Sequence, residues 1–148
     1  MINTTIVCAK QWDCLPHLQA AKLANNLVLA ISMAGVAEGL AFGRRLGLDP
    51  KLLSHIFDTS SAQCWVTTHY NPCPGTMEGV PSSRGYQGGF SSALMVKDLD
   101  LALQAAALSG SGLKLPMAGQ ARRLYQELVK KAGPGLDFSA IFDVVYGT

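Results

Sequence analysis

From Gln19 to Leu46 no proline interrupts a run of small and apolar residues, and between Leu23 and Phe42 the sole formal charge is Glu38. Such a stretch reads as one long α-helix, buried on most of its circumference because no side of it is consistently polar. It is also the one candidate for a membrane span. Asn25, Asn26 and Glu38 argue against that use: amides and a carboxylate are costly in hydrocarbon, whereas a helix packed among others can satisfy them. The sequence is read as a soluble protein without a membrane partner.

The rest of the chain supplies the packing elements. Gly47 ends the long helix, and Leu48-Asp49-Pro50 starts a short one. Asp49 offers its carboxylate to free amides, Pro50 sits at the first helical position, and Leu52, Leu53, Ile56 and Phe57 form an apolar face. Between Thr59 and Gly89 the periodicity dissolves into a loop-rich segment with Trp65, Tyr70 and Tyr86, ordered by packing rather than by ladders. Connections this long are usually functional or interdomain. Serine-capped helicity resumes after Phe90-Ser91-Ser92 and runs to about Leu108. Another helix follows Pro116 and ends in Lys130 and Lys131, cations placed at the negative end of its dipole, and a last short helix follows Asp137. Alternating strand patterns and internal repeats are missing. The expected fold class is all-α, a bundle of about five helices led by one long one.

The chain has 148 residues, 49% of them hydrophobic and 15% charged, which matches one domain with a real core. A net charge of +2 is spread too thinly to form the basic stripe a nucleic acid requires, so no nucleic-acid partner is expected. So little charge in a short chain instead suggests apolar surface covered by another subunit or domain. Cys8, Cys14, Cys64 and Cys73 are irregularly spaced, and no secretory leader precedes them, so reduced thiols are expected. Cys8, Cys14 and His17 lack a fourth ligand at finger-like spacing, and no metal is expected.

Two groups of residues can carry chemistry. Lys22 and Asn26, four apart on the long helix, project from one face about 6 Å apart at Cβ. A lysine set among alanines and leucines is expected to be partly desolvated, which disfavours its ammonium form and prepares it to exchange a proton with a hydroxyl that Asn26 would hold. Alternatively, the lysine snorkels to water and the asparagine bonds a neighbouring helix. Phe90, Lys97 and Asp98 form the second group: Phe90 and Lys97 are seven apart and nearly eclipsed, with Asp98 a hundred degrees round. A second lysine approaching Lys22 would further favour its neutral form, while a solvated Lys-Asp pair is the plainer alternative.

Several strings resemble 3-hydroxyisobutyrate dehydrogenases of the β-hydroxyacid dehydrogenase family: Gln19-Ala20-Ala21-Lys22-Leu23-Ala24-Asn25-Asn26, Ala37-Glu38-Gly39, Gly47-Leu48-Asp49-Pro50, Cys64-Trp65, Tyr70-Asn71-Pro72, Gly79-Val80-Pro81, Tyr86-Gln87-Gly88-Gly89-Phe90 and Leu94-Met95-Val96-Lys97-Asp98-Leu99. The likeness runs from about Gln19 onward and is more specific than Lys22 and Asn26 alone, because the strings keep compatible spacings. It implies a fold like the C-terminal domain of 6-phosphogluconate dehydrogenase. It also implies catalytic acid/base action by Lys22, substrate binding by Asn26, Phe90 and Asp98, and NAD binding by Lys97. The implied reaction is oxidation of (S)-3-hydroxyisobutyrate to methylmalonate semialdehyde in valine breakdown, in a dimer or other homo-oligomer, mitochondrial in eukaryotes and cytoplasmic in bacteria.

The sequence departs from that family in one large respect. No Gly-x-Gly-x-x-Gly stands between a strand and a helix, so the pyrophosphate site of a dinucleotide-binding domain is not expected. Residues 1–18 match nothing in the family and are expected to be poorly ordered, with 19–148 forming the helical domain. Two functions follow: the substrate- and NAD-binding half of an oxidoreductase, weak or inactive alone, that pairs with itself or a full-length dehydrogenase subunit; or a non-catalytic helical dimerisation module.

Overall fold

The computed structural model describes residues 14–147, and among these there are helices and turns but no strand. The long helix α1 spans Cys14–Arg45, starting before Gln19 where the sequence placed it. Helices α2 (Pro50–Thr59), α3 (Trp65–His69), α4 (Ser92–Leu108), α5 (Pro116–Ala132) and α6 (Ile141–Tyr146) follow, with 3-10 turns at Pro81–Arg84 and Phe138–Ala140. The all-α bundle expected from periodicity is present, with one more short helix because the aromatic segment at Trp65 coils for a single turn and a half. Of the segment expected to be disordered, residues 1–13 lie outside the described residues, and so does Cys8 of the candidate metal trio.

α1 is the axis on which the other helices pack. Ala30, Met33, Ala37 and Leu40 are fully buried. They meet Met95 and Leu99 of α4, Tyr125 and Leu128 of α5, and Ile141 and Phe142 of α6 in one contiguous core. By length and composition the stretch His17–Arg45 is apolar enough to cross a membrane, a test that the core helix of a bundle also passes, and 44% of its most apolar window is buried against these neighbours. The helix stops as its sequence dictates. Gly47 adopts φ +86°, and the bonds Gly47 N to Arg44 O (3.1 Å) and Leu48 N to Gly43 O (3.0 Å) close a Schellman turn. Asp49 then caps α2 by accepting from Leu52 N at 2.8 Å. Leu53 packs so tightly on Gly43 that a Cβ there would stand 2.3 Å from its Cδ2.

The long connection between α2 and α4 is held by side chains. Asn71 is buried and donates from Nδ2 to Ser54 Oγ (2.8 Å), while its Oδ1 accepts from Cys73 N (2.9 Å). Ser82 Oγ donates to Asn71 O (2.6 Å), and Tyr86 Oη donates to Pro72 O (3.0 Å) and Asp143 Oδ1 (3.2 Å). These bonds satisfy the buried polar groups of a connection that has no strand ladder to satisfy them. Burial first, then the Asp143 carboxylate, push the Tyr86 phenol well above its ordinary value.

Candidate functional site

The junction between α1 and α4 brings together residues that lie 72 positions apart: Asn26 Nδ2 donates to Asp98 Oδ2 at 2.6 Å. This bond is short because its acceptor is a carboxylate. It is half-buried, and Asn25 Nδ2 donates in turn to Asn26 Oδ1 at 3.2 Å. Asn26 and Asp98 are thus joined, one from each group singled out in the sequence. The geometry also matches the plainer alternative for Asn26, a hydrogen bond to a neighbouring helix.

Lys22 stands one turn before Asn26 on the same helical face, and Lys97 is next to Asp98 on α4; both lysines are exposed. The partial desolvation expected of Lys22 is not found, and the reason is local. Its apolar neighbours Ala21 and Ala24 are themselves exposed and Leu23 only half-buried, because the first turns of α1 project past the bundle and burial becomes complete only at Ala30. Lysine in such a position extends into water.

Phe90 is the half-buried lead-in to α4, whose N-cap is Ser91 accepting from Leu94 N at 3.3 Å. Its ring meets the Phe138 ring edge-on, with centroids 6.0 Å apart and planes at 80°. Tyr70 stacks on the same Phe138 at 5.5 Å and on Trp65 at 5.1 Å, so Trp65, Tyr70, Phe138 and Phe90 form one aromatic train. Trp65 remains half exposed at one end. A cavity of about 360 Å³ lies between Trp65, Cys64 and the α1 residues Asn25, Val28, Leu29 and Ser32.

Behind Phe90 lies a carboxylate that the sequence showed only as a helix-start signal. Asp137 is fully buried. Its Oδ2 accepts from Phe90 N (2.8 Å) and Tyr70 Oη (2.9 Å), and its Oδ1 accepts from Ser139 N (2.9 Å) and Ser139 Oγ (2.6 Å). Four donors on one buried carboxylate meet the requirement that a desolvated charge be hydrogen-bonded. Burial first, then this carboxylate, push the Tyr70 phenol above its ordinary value. The available signal was the Gly88-Gly89 pair. Gly89 has φ +79°, and a Cβ on it would fall 2.2 Å from Asp137 Oδ2 and 2.5 Å from Tyr70 Oη. A double glycine before a helix marks such a close approach.

A dinucleotide needs cations for its phosphates, an apolar surface for its rings and hydrogen-bonding groups beside the reacting carbon. Of the residues singled out in the sequence, Lys97 is an exposed cation, Phe90 offers a half-buried ring, and Asn26 and Asp98 form one hydrogen-bonded pair. No group of three or more His, Cys, Asp or Glu side chains gathers into a metal site among the described residues.

Comparison with known proteins identifies the family. A family model described as the NAD-binding domain of NADP-dependent 3-hydroxyisobutyrate dehydrogenase matches residues 18–145. A probable mitochondrial 3-hydroxyisobutyrate dehydrogenase of Dictyostelium discoideum is 52% identical over 125 residues, 84% of this chain and 38% of that protein. The mitochondrial 3-hydroxyisobutyrate dehydrogenase of Bos taurus is 51% identical over 124 residues, 84% of this chain and 36% of its own length. The fold resembles a structure of Mycobacterium tuberculosis 3-hydroxyisobutyrate dehydrogenase with L-serine, with a TM-score of 0.79 and 33% identity over 85% of this chain and 42% of that one. The chain therefore spans well under half the length of these relatives.

Proposed function

Since this chain belongs to the 3-hydroxyisobutyrate dehydrogenase family, matching its NAD-binding helical domain, we propose that it forms the helical half of an oxidoreductase site for 3-hydroxyisobutyrate and NAD. The observation that carries this reading is the Asn26–Asp98 bond, which fixes α1 against α4 with Lys22 one turn away and Lys97 alongside. Residues 19–148 act as the domain. The site is completed by the part of such enzymes that this chain does not span, and the isolated chain is weak or inactive in turnover.

In this reading the substrate hydroxyl lies between Lys22 and Asn26. Asn26 orients it, which lowers the entropic part of the barrier. Lys22, as a free amine, accepts the hydroxyl proton. Lys97 holds the cofactor, Phe90 lines the site, and Asp98 keeps Asn26 in place. Bound NAD would supply the hydride acceptor that no side chain provides. Oxidation of the primary alcohol gives methylmalonate semialdehyde, a step of valine catabolism. The relatives from Dictyostelium discoideum and Bos taurus are named mitochondrial, which supports a mitochondrial location here, with a cytoplasmic one for a bacterial chain.

A second reading, a non-catalytic pairing module, draws on an apolar groove of about 640 Å³ between the start of α1 and the end of α4. Leu23, Leu27, Val28, Ala102 and Leu113 line it. A second copy or a full-length dehydrogenase subunit would cover that surface. Titrating the chain with NADH and following nucleotide fluorescence separates the readings. Saturable binding that Lys97→Ala abolishes supports the dehydrogenase half; a stable dimer without binding supports the pairing module.

A further inference from the structure

We infer that Asp137 is a positioning residue for the α1–α4 junction, setting the placement of Phe90, and through α4 that of Lys97 and Asp98, relative to Asn26. The inference rests on the dehydrogenase reading for its purpose, while its geometry stands independently.

Asp137 belongs neither to α1 nor to α4. It opens the 3-10 turn Phe138–Ala140, and its Oδ1 is held by the backbone and hydroxyl of Ser139. That leaves Oδ2 aimed away from its own turn, where it receives Phe90 N and Tyr70 Oη. The backbone reinforces the same clasp. Asp137 N donates to Tyr86 O (3.0 Å), Phe138 N to Phe90 O (2.8 Å) and Ser92 N to Leu136 O (2.8 Å), with an antiparallel bridge between Ser91 and Asp137. The entry to α4 is thus bound on both edges. The carboxylate adds charge to the start of a 17-residue helix, where a negative group is favourable.

A helix is stiff over two turns, so the clasp at Phe90 governs where Lys97 and Asp98, seven and eight residues on, arrive. Tyr70 carries the same anchor into the aromatic train that ends at the half-exposed Trp65. One carboxylate therefore fixes both the helix that presents the charged residues and the aromatic train that runs from Phe90 to Trp65. None of these contacts involves Lys22, Asn26 or Asp98 directly, which makes Asp137 a positioning group rather than a catalytic one.

The test uses the isotope-labelled full chain. In the unaltered protein the Phe90 amide, bonded to a carboxylate, is expected to be shifted and protected from exchange, and the Asn26 side-chain amide to be shifted by its bond to Asp98. Asp137→Asn is expected to release the Phe90 amide and to move the Asn26 side-chain resonance. It should also raise the Kd for NADH on the order of tenfold, measured well below the variant's Tm. A folded Asp137→Asn with lowered Tm but unmoved Asn26 resonance and unchanged Kd overturns the inference. Should Asp137→Asn fail to fold, Tyr70→Phe leaves the carboxylate and removes one donor. The Asn26 resonance is then expected to move the same way by a smaller amount, and its constancy overturns the inference. If the unaltered chain never saturates with NADH, the cofactor reading fails while the Asn26 resonance still decides the role of Asp137.

Discussion

The two ends of α1 share a helix and much of their composition, yet they do different things. From Ala30 to Ala41 one face of the helix is buried against α4, α5 and α6, and Tyr125 Oη donates to Ala30 O at 3.4 Å from inside the core. From Gln19 to Asn25 the same kind of alanine- and leucine-rich sequence is largely exposed, and its contacts are the open groove and one polar junction at Asn26. Apolar composition alone therefore does not say which half is core. The neighbours decide it, and the half they leave open is the one that carries the candidate chemistry.

The largest expected effect separates the halves by pH. The phenols of Tyr70, Tyr86 and Tyr125 are all raised, by burial above all. A group whose folded value is raised lends stability that is complete below the unfolded value of about 10 and is lost as pH rises through the folded one. Alkaline titration should show the buried Tyr86 and Tyr125 phenolates appearing only together with unfolding; their ionisation in a still-folded chain would contradict the burial. Next, Leu40→Ala in the enclosed half should destabilise by about 2–5 kcal/mol in urea unfolding. At the boundary, Asn26→Ala leaves the half-buried Asp98 oxygen short of a donor and should cost about 1–2 kcal/mol. The smallest effect belongs to the open half. Lys22→Ala should change stability by no more than about 0.5 kcal/mol, and a loss comparable to Leu40→Ala would mean that the first turns are packed after all.

Most of the fold was legible because its signals are local. The proline-free run gave α1, Asp49-Pro50 and Ser91 gave the caps of α2 and α4, and Pro116 gave the start of α5. The site was legible only in part. Asn26 and Asp98 could be nominated from their spacing and resemblance, but their pairing depends on how α1 crosses α4, which no local pattern records. The environment of Lys22 was misjudged for the same reason: sequence neighbours that look apolar turn out to face solvent. Asp137 looked like an ordinary cap because two of its four bonds are indeed to Ser139. The other two reach residues far away in the chain, and the tolerance for them is written only in Gly89.

The Tyr146 ring lies under both Arg44 and Arg45, with guanidinium carbons 4.7 and 4.5 Å from its centroid, and Arg45 Nη2 donates to Tyr146 O at 2.6 Å across 101 residues. A ribosome that has delivered α1 has made only one side of this lock. The loop it closes spans 101 residues, so the part of α1 that meets α6 stays uncovered until that last helix has been made. The last contacts of the core therefore close over a long span of chain, and until they form the face of α1 that awaits α6 is open to unintended partners.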